Sequence, residues 1–130
     1  MMRRISLGIL VPLALLLAGC HVVGPEHFVV FFAPKSSALD SQAKDVLATV
    51  ATKAKQRPGV SVKVAGFSAP VGGSIADNQK LAAQRAQVVV DTLVADGVDA
   101  KQIRHSAIGG VDFSMDSVES RRVEITLGEN

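Results

Sequence analysis

Phe28-Val29-Val30-Phe31-Phe32 is an unbroken run of β-branched and aromatic side chains, closed by Ala33-Pro34-Lys35. Five such residues ended by a proline predict a strand, and the lack of polar alternation predicts one buried on both faces, in the middle of a sheet. Its partners follow along the chain. Asp40 or Ser41 is placed to cap a helix whose apolar positions, Ala43, Val46, Leu47, Val50 and Ala54, recur at helical spacing until Pro58-Gly59 ends it. Val60-Ser61-Val62-Lys63-Val64 alternates apolar and polar residues, the pattern of a half-solvated strand. Gly66 to Gly73 predicts a loop. A longer helix follows from about Asp77 to Asp96, with Leu81, Val88, Val89 and Leu93 on one stripe and Gly97 set to stop it. Ile103 to Ile108 is a weaker strand candidate ahead of Gly109-Gly110. In the final strand Val123, Ile125 and Leu127 share one face, and Arg122, Glu124 and Thr126 share the other. The order βαβαββ predicts an α+β two-layer sandwich, a mixed sheet with both helices packed on one face.

The residues ahead of the first strand have a different layout. Arg3 and Arg4 precede an apolar segment from Ile5 to Leu17, and small residues Ala18 and Gly19 stand before the only cysteine, Cys20. A membrane span needs about 20 apolar residues, and this segment is shorter and broken by Gly8 and Pro12. It has the parts of an export signal. Leu17-Ala18-Gly19-Cys20 resembles the lipobox of bacterial lipoprotein precursors. That resemblance implies a signal peptide over residues 1–19 and an acylated Cys20 as the new N-terminus, with residues 20–27 a short tether to the domain at 28–130. His21 after the cysteine resembles lipoproteins sent to the outer membrane. Removing residues 1–19 takes away two basic side chains and no acidic one, so 14 basic residues become 12, against 12 acidic. The mature chain is formally neutral and offers no basic footprint for nucleic acid. With one cysteine, no intramolecular disulfide can form. At about 3.3–3.6 Å per residue the tether spans at most roughly 25 Å, which holds the domain close to its membrane.

The stretch from Phe31 to Leu127 resembles the OmpA-like periplasmic domain of peptidoglycan-associated lipoproteins and OmpA-type porins. The resemblance rests on Phe32 with Ser36-Ser37-Ala38-Leu39, and on Val64-Ala65-Gly66-Phe67-Ser68. It continues through Asn78-Gln79-Lys80-Leu81, Arg85-Ala86, Leu93 and Gly97-Val98, and ends at Arg121-Arg122-Val123-Glu124-Ile125. It implies a noncatalytic domain, facing the periplasm, that binds the diaminopimelate-bearing stem peptide of peptidoglycan. Such a ligand carries an ammonium and a carboxylate on one carbon. An arginine fork suits the carboxylate and an aspartate suits the ammonium.

Arg85 matches the family arginine. Leu81 and Val89 stand four residues to either side of it, so Arg85 projects from the stripe that faces the sheet, where a charge must be paired or open onto a cleft. The resemblance makes Arg85, Arg121, Ser68, Asn78 and Leu81 the candidate ligand-binding residues. Arg121 shares the face of Val123 by strand parity; it either adds to an anion site with Arg85 or holds the end of the sheet, pairing with Glu119 or Asp116. Ser68 either lines the loop or bonds its own backbone. Three residues depart from the family pattern: Ala69 stands for the aspartate, Lys35 for Asp or Asn, and Ser120 for Asn. Asp77 is either a substitute carboxylate or a helix N-cap.

His21, His27 and His105 show no metal-ligand spacing, and no nucleophile triad, phosphate loop or paired-carboxylate motif can be read, so neither an enzyme nor a cofactor is expected. Two readings follow. One is an outer-membrane lipoprotein, held by its N-terminal lipid, that binds peptidoglycan weakly because Ala69 replaces the aspartate. The other is an envelope module that has given up peptidoglycan for another envelope protein.

Overall fold

Residues 24–68, 74–110 and 118–128 are described by the computed structural model, so the signal segment, Cys20, Ala69 and Asp116 lie outside the described residues. The elements are β1 (Glu26–Phe31), α1 (Ser41–Gln56), β2 (Val62–Ser68), α2 (Ile75–Ala95), a 3-10 turn at Ala100–Gln102, β3 (Ile103–Gly110) and β4 (Arg122–Leu127). They form one four-stranded sheet in the order β1-β4-β2-β3. β4 runs antiparallel to both neighbours, with Val30 opposite Val123 and Val64 opposite Ile125, while β2 and β3 are parallel. A parallel pair needs a crossover, and α2 supplies it. The βαβαββ order and the mixed sheet agree with the sequence pattern. Among the described residues, no helix is long and apolar enough to cross a membrane.

β1 corrects the expectation of a central strand. Among the described residues it pairs only with β4 and forms one edge of the sheet. Val30 and Phe32 point into the core, while Val29 and Phe31 remain 39% and 48% exposed on the other face. An apolar run signals a strand but carries no information about how many neighbours it will find.

The core is a single cluster between the sheet and the two helices. Leu47, Val50 and Ala54 of α1 and Ala86, Val89 and Leu93 of α2 close over Val30, Val62, Val64, Val123, Ile125 and Leu127. Each helix begins at a side-chain cap. Asp40 Oδ1 accepts from the Ala43 N–H at 2.7 Å and starts α1. Ser74 caps α2 in a reciprocal box with Asp77, so the helix begins two residues before the expected Asp77 and that residue sits at the third position. At the other end the Gly97 N–H reaches Val94 O and the Val98 N–H reaches Leu93 O, with Gly97 at φ +99°, the Schellman arrangement that only glycine adopts without strain. Buried Val98 and Leu93 complete it.

β2 also runs further than expected. The loop predicted from Gly66 begins only after Ser68, and its remainder lies outside the described residues. Gly66 is there for space: a Cβ built on it would stand 2.2 Å from Ala82 O, so only glycine lets α2 lie this close to the strand.

Candidate functional site

One end of the sheet gathers nearly every candidate residue. β1 and β2 finish there, β4 starts there, and α2 enters from Ser74. The sequence spacing that put Arg85 on the inward stripe is correct: the side chain is 0% exposed, among buried Ala82, Ala86 and Val89. Its guanidinium is held by backbone oxygens. Nε donates to Ser36 O at 2.8 Å, Nη1 to Phe67 O at 3.0 Å and Nη2 to Ala33 O at 3.3 Å. The cation also lies 5.3 Å from the centre of the Phe32 ring. One side chain thus joins the turn after β1, the end of β2 and the middle of α2.

No carboxylate among the described residues pairs with Arg85. Burial, and then the like charge of Arg121, push the guanidinium down to about 10 from its ordinary value. It remains a cation at neutral pH, held among the described residues by carbonyl dipoles and the face of the Phe32 ring. Such a position favours an anion, because a negative group brought close would offset both the desolvation and the repulsion.

Arg121 settles on the sheet end. Its Nε donates to Phe32 O at 3.0 Å, and its own carbonyl accepts from the Phe32 N–H at 2.8 Å. It therefore extends the β1–β4 ladder by one residue through its side chain while adding positive potential near Arg85. Ser68 is fully buried and donates to Asn78 O at 2.7 Å, tying the end of β2 to the first turns of α2. Asn78 is itself buried, with its N–H on Ser74 O. Leu81 is half-buried and outside the core cluster, beside the stripe formed by Asn78, Ala82, Arg85 and Ala86. Arg85, Arg121, Ser68 and Asn78 therefore share one end of the sheet, with Leu81 at the flank of α2.

Asp77 does not reach this cluster as a free carboxylate. It is exposed, and Oδ2 accepts from the Ser74 hydroxyl at 2.8 Å within the capping box. Lys35 is the one described non-glycine residue at positive φ, +56°. Asn and Asp enter that region with less strain than lysine, which gives a conformational reason for the family preference at this place.

Three groups of contacts have no counterpart in the sequence reading. Arg122 stacks on Phe67 with 4.1 Å between the guanidinium carbon and the ring centre, bonds Glu124 at 2.8 Å and donates to Glu119 O. Gln79 Nε2 donates to Ala107 O at 2.8 Å and locks α2 to β3. The carbonyls of Ala33, Ser36 and Phe67 carry no side-chain signature at all. Among the described residues, no cluster of three or more His, Cys, Asp or Glu side chains could hold a metal ion.

Comparison with known proteins adds an independent line. The profile of the OmpA family matches residues 31–124. The chain is 34% identical over 104 residues to the probable lipoprotein YiaD of Escherichia coli (strain K12), covering 75% of this chain and 47% of that protein. It is 41% identical over 91 residues to outer membrane protein A of Serratia odorifera, covering 68% of this chain and 37% of that one. It thus spans less than half the length of either relative. In fold it is similar to the peptidoglycan-associated lipoprotein from Burkholderia pseudomallei, with a TM-score of 0.71 at 23% identity, over 76% of this chain and 88% of that structure.

Proposed function

Because the chain belongs to the OmpA family, we propose that it is a noncatalytic outer-membrane lipoprotein, anchored through acylated Cys20, whose periplasmic domain binds the diaminopimelate-bearing stem peptide of peptidoglycan at the Arg85 end of the sheet. The observation that carries this reading is a buried guanidinium held by three carbonyls, with no carboxylate among the described residues paired to it and a second arginine nearby. A stem-peptide carboxylate would supply the missing negative charge. Ala69 offers nothing to the ammonium of the same ligand, so binding is weak. Sequence likeness to a probable lipoprotein and structural likeness to a peptidoglycan-associated lipoprotein both favour it.

Co-sedimentation of the soluble mature chain with purified peptidoglycan tests the reading. Binding at low salt that is lost in Arg85→Ala and strengthened in Ala69→Asp supports it; no co-sedimentation in either the parent chain or Ala69→Asp rejects it. Anchoring is tested separately, by the mass of the mature N-terminus and by release of Cys20→Ser from the membrane fraction.

The alternative is an envelope module bound to another protein. It is favoured by the same carbonyl cradle read differently: Arg85 is fully covered and already donates to three backbone oxygens, as a structural staple would. Retained folding with no peptidoglycan binding at any salt would select this reading.

A further inference from the structure

Among the described residues, no element covers the face of the sheet away from the helices, and its residues separate into two kinds. On β1, beside the tether, stand half-exposed Val29 and Phe31. On β2 and β3, Lys63 and Arg104 are side by side in register. Neither of these cations takes part in a hydrogen bond or ion pair among the described residues. Like charges directly opposite on neighbouring strands are unfavourable, so the pair is not there to stabilise the sheet. Between them and β4 lies a shallow concavity of about 330 Å3, kept open by the small side chains of Ala65 and Ser106 and bordered by Glu124 and Thr126. The Glu124 carboxylate is engaged by Arg122, which leaves the concavity open to an anion.

We infer that this bare face docks on an anionic phospholipid surface, with Lys63 and Arg104 at the phosphates and Phe31 at the headgroup boundary. The inference rests on the reading of Cys20 as a lipid anchor. Five residues, 21 to 25, separate that cysteine from the first residue of β1, six Cα-to-Cα steps in all. At full extension they reach only about 20 Å, so the bilayer is the one surface always within reach of this face. Tethering of that length makes a weak electrostatic contact effectively intramolecular. Unpaired cations on β2 and β3 and an exposed aromatic ring across β4 on the same face are the chemistry of an interfacial contact, in which the cations meet lipid phosphates and the ring enters the headgroup layer.

The chain has no tryptophan or tyrosine, so a single introduced indole reports without background. The mature chain carrying Cys20→Ser keeps the whole sheet and both helices, and testing it without acyl chains separates the docking face from the anchor. Vesicles of phosphatidylcholine with or without phosphatidylglycerol are the probes. The chain without an added indole should sediment with the phosphatidylglycerol vesicles at low salt and not with phosphatidylcholine alone. Phe31→Trp should shift its emission to the blue on the anionic vesicles, while Val94→Trp, on the exposed side of α2, should not. Each cation near an anionic surface is worth roughly five-fold in partitioning, so Lys63→Glu with Arg104→Glu should lower it at least about 30-fold. Equal partitioning to both vesicle types, or none to either, overturns the inference. So does capture of poly-glutamate through Lys63 and Arg104 without vesicle binding, which would assign the face to an acidic protein instead. Failure of acylation at Cys20 would show in the mass of the native N-terminus and leaves these vesicle outcomes readable.

Discussion

Replacing Arg85 by methionine sets two large effects against each other, and the structure decides the sign. Methionine is apolar and of comparable length, so it removes the buried charge without leaving a large void. The depression of the Arg85 guanidinium to about 10 implies that folding the charged form costs up to about 3 kcal/mol. Because the folded value lies below the unfolded one, that cost is fully present at neutral pH and is relieved only as pH rises beyond about 10. Methionine would recover it. Against this stand three hydrogen bonds from a charged donor, each worth roughly 1.5–3 kcal/mol, whose acceptors Ser36 O, Phe67 O and Ala33 O stay in place when the arginine goes. Buried ion pairs can be exchanged for apolar groups at little cost when both partners are replaced; backbone carbonyls cannot be replaced. The net expectation is a loss on the order of 2–5 kcal/mol. For a domain of this size that lowers Tm by on the order of 10–25 °C. Thermal unfolding followed by circular dichroism at pH 7 measures it, and Arg85→Lys, which keeps a charge but not the fork, should not restore the parent Tm. A methionine variant as stable as the parent, or more so, would refute the view that the carbonyl cradle outweighs the charge.

Gly66→Ala places a methyl group against the backbone of α2 at Ala82 and should cost about 2–3 kcal/mol or prevent folding, read as a lower midpoint in urea. Lys35→Asn should do the opposite, raising stability by about 0.5–1 kcal/mol because asparagine tolerates the left-handed backbone at this position; an unchanged midpoint would remove the strain argument. Glu26→Gln removes the partner of Lys53 and Arg57. The hydrogen bond from Lys53, with the charges of Lys53 and Arg57, holds the Glu26 carboxyl below its ordinary value. Its stabilising contribution is therefore present above the unfolded carboxylate pKa of about 4.3 and fades as pH falls through the lower folded value. Parent and variant melting curves should converge toward low pH, and a constant gap from pH 7 to pH 3 would show that the carboxylate's charge is irrelevant.

What the sequence made legible follows from what side chains can encode. The inward position of Arg85 was readable because helical spacing fixes which residues share a face, and Leu81 and Val89 bracket it. Its partners were not, because the oxygens of Ala33, Ser36 and Phe67 belong to the backbone and any residue supplies one. Ser74-Ile75-Ala76-Asp77 carries the spacing of a capping box, but Ser and Asp are both good N-cap residues, so a start at Asp77 fits the sequence while the helix begins two residues earlier. β1 shows the other limit. Phe28 to Phe32 declares a strand, but edge or centre is decided by long-range pairing with β4, which a local pattern does not contain.

β1 links the two halves of the proposed function mechanically. The tether enters at its first residue, and the arginine cluster lies at its last, so any pull between membrane and wall would run along this one strand. An edge strand with a single neighbour is a weak element for such a load. Both of its ends are fastened by other means. At the start, Lys53 and Arg57 hold Glu26 at 2.6 and 3.0 Å. At the finish, Arg121 bonds Phe32 through backbone and side chain, and Arg85 grips the carbonyls of Ala33 and Ser36 just beyond. Shear along the strand would have to break these charged contacts together with the β4 ladder, whereas peeling from either end would meet them first. The arginines to which the proposed function assigns the anionic ligand are thus also the clamps that keep this strand in the sheet, and a ligand that neutralised Arg85 would, on that proposal, tighten that end rather than loosen it.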